Sequence, residues 1–263
     1  MEEYYRIVAY VLAGVVGLCV GSFLNVVIYR LPLGMRLDKP GSHCTKCDYA
    51  LRWYDNIPVL SYLILGGKCR KCKEPISPRY TIVEIVNMLL WLLSVRVFWS
   101  VSIPFAVISA LCSSVLICAF FVDLGHMIVP DSFVVILAIL GVVAIFTDPD
   151  YGWLSHLIGA AVGFGFFYGI FALFYYVLKK DALGGGDIKL VAAMGLLLGW
   201  ERLLLSLIIA SVSGAVILSA LSAIRRENKD KEYPFAPFLC VGFGFALFFG
   251  AAVIQTYLNL LGF

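Results

Sequence analysis

The chain has 263 residues, 62% of them hydrophobic, a formal net charge of +3 and a mean hydropathy of +0.94. Soluble globular proteins hold about 45–50% apolar residues. A soluble domain with one anchor is therefore excluded, and a polytopic membrane protein is expected.

In chain order, residues 1–6 carry Glu2, Glu3 and a single Arg6, and no small-residue cleavage site ends the apolar run Ile7–Tyr29. That run reads as a retained first span, not a removable signal peptide. A polar block, Arg30–Arg79, follows. Further apolar runs lie at about Tyr80–Trp99, Ile103–Val122, Ser132–Phe146, Trp153–Leu178, Ile188–Trp200, Leu203–Ile224 and Phe235–Leu260. The expected fold is an all-α polytopic membrane protein with about eight transmembrane helices and a small cytoplasmic zinc-ribbon-like segment. The run 188–200 is short for a span, so it is expected to be tilted, partly re-entrant or extended by the glycines before it. Three parts are anticipated: a first helix over 1–30, a cytoplasmic metal-binding segment over 31–79, and a helical domain over 80–263. No internal repeat is evident. Ile57–Leu65, with Pro58 inside it, is too short to span and should lie against the membrane or in the small core of 31–79.

Lys and Arg set the orientation. Seventeen of the twenty fall on one side under this topology: ten within 30–79, then Lys179, Lys180, Lys189, Arg225, Arg226, Lys229 and Lys231. Only Arg6, Arg96 and Arg202 fall on the other. The basic side is cytoplasmic, with both termini outside. Lysines and arginines beside a membrane answer to orientation and anionic lipid, so nucleic acid is not expected as a partner. By alternation, Asp123 and Asp187 reach the same cytoplasmic membrane edge.

An ionisable group at that depth costs roughly 2.5–3.5 kcal/mol on insertion scales, which makes it a functional candidate. Two adjacent aspartates can divide the work of peptide hydrolysis, one as base and one as acid. His43, His126 and His156 are the only histidines, and no Gly-x-Ser-x-Gly or His-Glu-x-x-His pattern is present. Gly184, Gly185 and Gly186 remove every β-carbon before Asp187, permitting positive φ and close approach of a substrate strand. Plainer roles stay open: Asp187 as a helix cap, Asp123 as a partner of Lys189, Asp131 as a cap after Pro130, and His126 as a solvated side chain. A proton-coupled transporter is a further alternative, although it favours midplane acids and inverted repeats. So is a membrane scaffold whose metal module binds a partner.

Cys44-x-x-Cys47 and Cys69-x-x-Cys72 are two knuckles whose four thiolates suit a closed tetrahedral zinc site of structural type. A redox pair is the alternative, disfavoured in a reducing compartment. Cys19, Cys112, Cys118 and Cys240 lie within spans and read as small core residues.

The stretch Asp123–Asp131 and the stretch Gly184-Gly185-Gly186-Asp187-Ile188-Lys189 resemble the two aspartate motifs of the type IV prepilin leader peptidases. Gly21–Pro32, Asp55–Ser61 and Pro234–Leu239 are similar to further signatures of that family, with Ala236 where Gly is usual. The resemblance implies a membrane aspartyl endopeptidase of the bacterial cytoplasmic membrane, its active site facing the cytoplasm. It would remove short basic leaders from prepilins or pseudopilins that carry an apolar N-terminal helix. Asp123 and Asp187 would be its catalytic acids, supported by Gly184, Gly185, Gly186 and Lys189. Many members carry the tetracysteine feature and also N-methylate the new terminus with S-adenosylmethionine. Pro78–Glu84 resembles the stretch concerned, with Glu84 in the acidic position, Thr81 where Pro is common and Met88 where Gly is frequent. A peptidase without methyltransferase activity is the alternative, with Glu84 then a structural acid paired with Arg79.

Overall fold

The computed structural model describes residues 2–179, 184–225 and 233–262. Leu183 and the expected cytoplasmic cations Lys180, Arg226, Lys229 and Lys231 lie outside the described residues. Among those described there are no β-strands, only isolated bridges at His43–Ala50 and Lys68–Pro75.

Each apolar run becomes one helix. Helix α1 is Glu2–Arg30, α2 is the short Leu60–Ile64, α3 is Arg79–Phe98 and α4 is Ile103–His126. Then come α5, Asp131–Thr147; α6, Trp153–Ala172, continued by a π-helical turn over Leu173–Leu178; α7, Gly185–Leu198; α8, Trp200–Arg225; and α9, Ala236–Leu260. Among the described residues six helices are long and apolar enough to cross a membrane, and the other two runs form the 17-residue α5 and the 14-residue α7. The chain divides into two compact units, Met1–Trp99 and Ser100–Phe263.

In the first unit α1 packs along α3. Gly17 and Gly21 are spaced as a small-xxx-small motif. A β-carbon at Gly17 would come within 3.0 Å of the Met88 Cα, and one at Gly21 within 2.8 Å of the Glu84 Cα. The bare glycines thus let the two backbones approach, and amides close the gap. Asn87 Nδ2 donates to the Gly17 carbonyl at 2.7 Å, and Asn25 Nδ2 to the Tyr80 carbonyl at 3.0 Å. In α2, Leu60, Leu63 and Ile64 are all exposed. The 57–65 stretch therefore presents an apolar surface and does not build a core.

In the second unit the short α7 is the centre, packed against α5 and α6, with Leu190, Val191, Met194, Leu197 and Leu198 buried along its length. At 14 residues it rises about 21 Å, against a hydrocarbon layer of about 30 Å. Its C-terminal carbonyls therefore end among side chains. His156 Nδ1 lies 3.0 Å from the Leu196 carbonyl, and Arg202 Nε donates to the Leu198 carbonyl at 2.8 Å. The Arg202 guanidinium is fully buried, pairs with Asp148 and stacks over Tyr151 and Phe105. One polar cluster thus satisfies the end of α7 and ties it to the loop between α5 and α6.

Breaking a buried ion pair by removing one partner costs about 3–5 kcal/mol. Arg202→Met is expected to lower the thermal midpoint of the detergent-solubilised protein, and adding Asp148→Asn to recover part of the loss. An Arg202→Met protein as stable as wild type would show that the cluster does not anchor α7.

Candidate active site

Asp123 occupies the last turn of α4. Met127 ends that helix in the left-handed conformation (φ 55°), its N–H returning to the Asp123 carbonyl at 2.9 Å, and the chain turns towards Val129 and Pro130. The Asp123 side chain is buried, and its Oδ2 accepts the Ala236 N–H at 3.1 Å. Ala236 is the first residue of α9, where N–H groups have no intrahelical acceptor. Asp123 therefore caps a helix that begins 113 residues later in sequence, and the positive end of that helix faces its charge.

Asp187 is the third residue of α7, after a Gly184 that serves as the helix cap with φ −68° and ψ 134°. The expected positive φ is not found in the triple glycine; the described positive-φ glycines are Gly34, Gly66, Gly67, Gly199 and Gly262. Space is the reason instead. A β-carbon at Gly186 would lie 3.0 Å from the Val129 Cβ, and one at Gly184 would lie 3.6 Å from Asp187 Oδ2. The second motif thus packs directly on the loop of the first.

Lys189 adds an exposed tie, its Nζ donating to Asp131 Oδ1 at 2.8 Å. This removes one alternative weighed for Asp123 and corrects the expected role of Asp131. Lys189 pairs with Asp131, not Asp123, and Asp131 is not the cap of α5, a position held by Pro130. Between exposed partners such a pair contributes about 0–1 kcal/mol, so its effect is to hold the two motifs in register. His126 is exposed in the last turn of α4, as a solvated side chain would be.

The Asp123 and Asp187 carboxyls are close enough for their charges to interact, and the Cys240 thiol, one turn into α9, lies in the field of both. The C-terminal end of α4 and the N-terminal ends of α7 and α9 therefore meet at one end of this unit. Two carboxyls at one site can divide the roles of acid and base between them. Reading residues in isolation missed the Ala236 N–H and the Cys240 wall. The signal was Pro234–Leu239, where Pro237 marks a helix start.

In the first unit the sulfur atoms of Cys44, Cys47, Cys69 and Cys72 all lie within 4.8 Å of one another. Cys44–Cys72 is 3.8 Å and Cys47–Cys69 is 4.0 Å, against about 3.8 Å between sulfurs placed 2.3 Å from a tetrahedral zinc. The donor set fits a metal ion. The two knuckles repeat each other's hydrogen bonds 25 residues apart, a repeat not evident in the sequence. Cys44 N–H reaches Tyr49 and Cys69 N–H reaches Glu74, each at 2.9 Å, and Asp48 and Lys73 each turn at positive φ.

Asp55 joins the knuckles. Its buried carboxylate accepts from Arg70 Nε at 2.7 Å and from the Tyr49 hydroxyl at 3.2 Å. Burial pushes that carboxyl up, but Arg70, the Arg52 N–H and Tyr49 outweigh it and hold it below its usual value.

Glu84 is buried in α3 and accepts the Val59 N–H at 2.8 Å and the Ser22 hydroxyl. These contacts replace the expected pairing with Arg79, whose guanidinium lies over the Tyr80 ring. Cys112, Cys118 and Cys240 are buried as expected; Cys19 is not, and faces outward.

Residues 15–98 match the bacterial peptidase A24 N-terminal domain, and residues 110–219 match the type IV leader peptidase family. A prepilin leader peptidase/N-methyltransferase of Myxococcus xanthus is 42% identical, covering 77% of this chain and 60% of that protein. Proteins of the same name from Pseudomonas putida and Legionella pneumophila are each 34% identical. The first covers 100% of this chain and 97% of the relative, the second 95% and 94%. No solved structure matches the chain.

Removing the metal with a chelator is expected to speed proteolysis within 31–79. The same sensitivity after verified metal loss would show that the four thiolates do not hold the segment together.

Proposed function

The chain belongs to the type IV leader peptidase family, and from that premise we propose that it is a membrane aspartyl endopeptidase removing short basic leaders from prepilins or pseudopilins. The observation that carries the reading is the carboxylate pair, each acid on its own helix end and the two motifs in direct contact through Gly186 and Val129.

A water held between the acids loses a proton to one carboxylate as its oxygen attacks the scissile carbonyl carbon. The other acid gives its proton to the carbonyl oxygen. The tetrahedral species then collapses, the C–N bond breaks, and the leaving amine takes up a proton. We assign the base to Asp123, oriented by the Ala236 N–H that its Oδ2 accepts, and the acid to Asp187. Gly184 and Gly185 are exposed beside Asp187 and leave room for the substrate backbone, while Lys189 holds the register. The apolar helix of the substrate enters from the bilayer, so the pair works at the membrane edge, on the cytoplasmic side by the distribution of Lys and Arg.

We further propose that the enzyme N-methylates the new terminus with S-adenosylmethionine, as the names of the relatives suggest. Methyl transfer belongs to the first unit, with Glu84 as a positioning acid. The four cysteines hold a structural zinc ion, since four sulfur ligands leave no open coordination position.

Asp123→Asn and Asp187→Asn are each expected to reduce leader removal by at least about 10²-fold, measured on a purified prepilin in detergent, with the variants still folded. Wild-type cleavage by either variant would refute the pair. Mass analysis of the cleaved product, with and without S-adenosylmethionine, is expected to show one added methyl group only with it; the same unmethylated product in both would remove the second activity.

A further inference from the structure

We propose that the cavity between α1 and the 37–58 segment is the binding site for the sulfonium nucleoside that donates the methyl group. The proposal rests on the methylation reading above and does not involve Asp123 or Asp187, which lie in the other unit.

The cavity holds about 410 Å³, within the range of about 300–1,000 Å³ usual for small-molecule sites. Its walls carry a mixed chemistry. Phe23 offers an exposed aromatic face for a purine; Ser42 and Asn56 offer groups that bond ribose hydroxyls and ring nitrogens; and Asp38, whose two oxygens accept from Arg36 Nε and Nη2 at 2.9 and 2.8 Å, keeps an exposed carboxylate that a ligand cation would share with Arg36. Arg36, first, and neighbouring backbone N–H groups hold the Asp38 carboxyl below its usual value, so it stays charged at neutral pH.

Two buried charged groups shape this cavity without competing for a ligand. Arg30, 6% exposed, gives its guanidinium to the carbonyls of Arg36, Leu37, Pro40 and Gly41, the closest at 2.6 Å, and so wraps the 36–41 loop over the end of α1. Glu84 lies behind the wall and joins Ser22 of α1 to the N–H of Val59, next to Pro58 of the lining. Val59 sits at φ 61°, a conformation that β-branched residues rarely adopt and that surrounding structure must enforce. The Glu84 carboxylate accepts its N–H, and Leu63 N–H bonds its carbonyl, so both ends of the residue are held. Glu84 is thus a positioning residue and does not touch the donor.

The donor supplies an electrophilic methyl on a sulfonium. The terminal amine, having released a proton to water, attacks that carbon. An N–C bond forms, the S–C bond breaks with its electron pair left on sulfur, and a neutral thioether departs.

The test is equilibrium binding of S-adenosylmethionine to the full-length protein in detergent, with bound metal and thermal midpoint as checks on folding. Wild type is expected to bind, and Ser42→Trp, which fills the cavity, is expected to lose binding. Asp38→Asn is expected to bind S-adenosylmethionine about fivefold more weakly, as an exposed charge contact implies, yet to bind S-adenosylhomocysteine, which lacks the sulfonium, as wild type does. Glu84→Ala should weaken both ligands, and Glu84→Gln, which keeps an acceptor for Val59, should restore most of the affinity. A folded Ser42→Trp protein with wild-type affinity, or equal losses for both ligands in Asp38→Asn, would overturn the site. A methylated product from a chain whose donor affinity none of these variants alters would keep the methylation reading and move the donor elsewhere. No binding by wild type would overturn both, leaving leader removal to its own assay.

Discussion

Helix α7 is shorter than a hydrocarbon layer is thick, and the arrangement of the second unit answers to that short length. A helix of 14 residues rises about 21 Å, short of the roughly 30 Å of a hydrocarbon layer, so its C-terminal carbonyls must find partners inside the bundle. Orphan carbonyls in an apolar bundle are costly unless something donates to them. Arg202 and His156 meet that need at one end, and at the other Gly186 and Lys189 dock on Val129 and Asp131. Pinned at both ends, α7 has one depth, and Asp187 has one place relative to Asp123.

Asp123 faces a related constraint. A carboxylate in the last turn of its own helix sits where the macrodipole is negative, the wrong end for an anion. The first N–H of α9 opposes that local field, and the same hydrogen bond supplies a cap to α9. Chemistry and fold thus share one contact.

The first unit solves a different problem, since its polar segment has too little apolar surface to build a core. Four cysteine sulfurs gather there at metal-ligand distances, the Asp55–Arg70 bridge crosses the two knuckles, and Arg30 gathers four carbonyls. Glu84 belongs to the same scheme, reaching from α3 to the chain at Val59. Packing joins α1 to α3, while buried charges with several partners each organise the polar segment between them, and a polar cavity lies at the end of α1.

The number and limits of the long helices, the two acids at helix ends and the four cysteines at metal-ligand spacing were all legible in the sequence. Each is written locally, in a run of apolar residues or in a short spacing that needs no partner to be recognised. What the acids, glycines and lysine touch was not legible. Lys189 was a candidate partner for Asp123 and bonds Asp131; the triple glycine suggested positive φ and instead makes room for Val129; Glu84 suggested Arg79 and meets Val59 and Ser22. Composition and spacing determine which segments enter an apolar phase and which residues they carry with them. Only the packed structure decides which N–H each buried charge receives, because those partners lie tens to over a hundred residues away and are selected by helix depth and register, which no local pattern encodes.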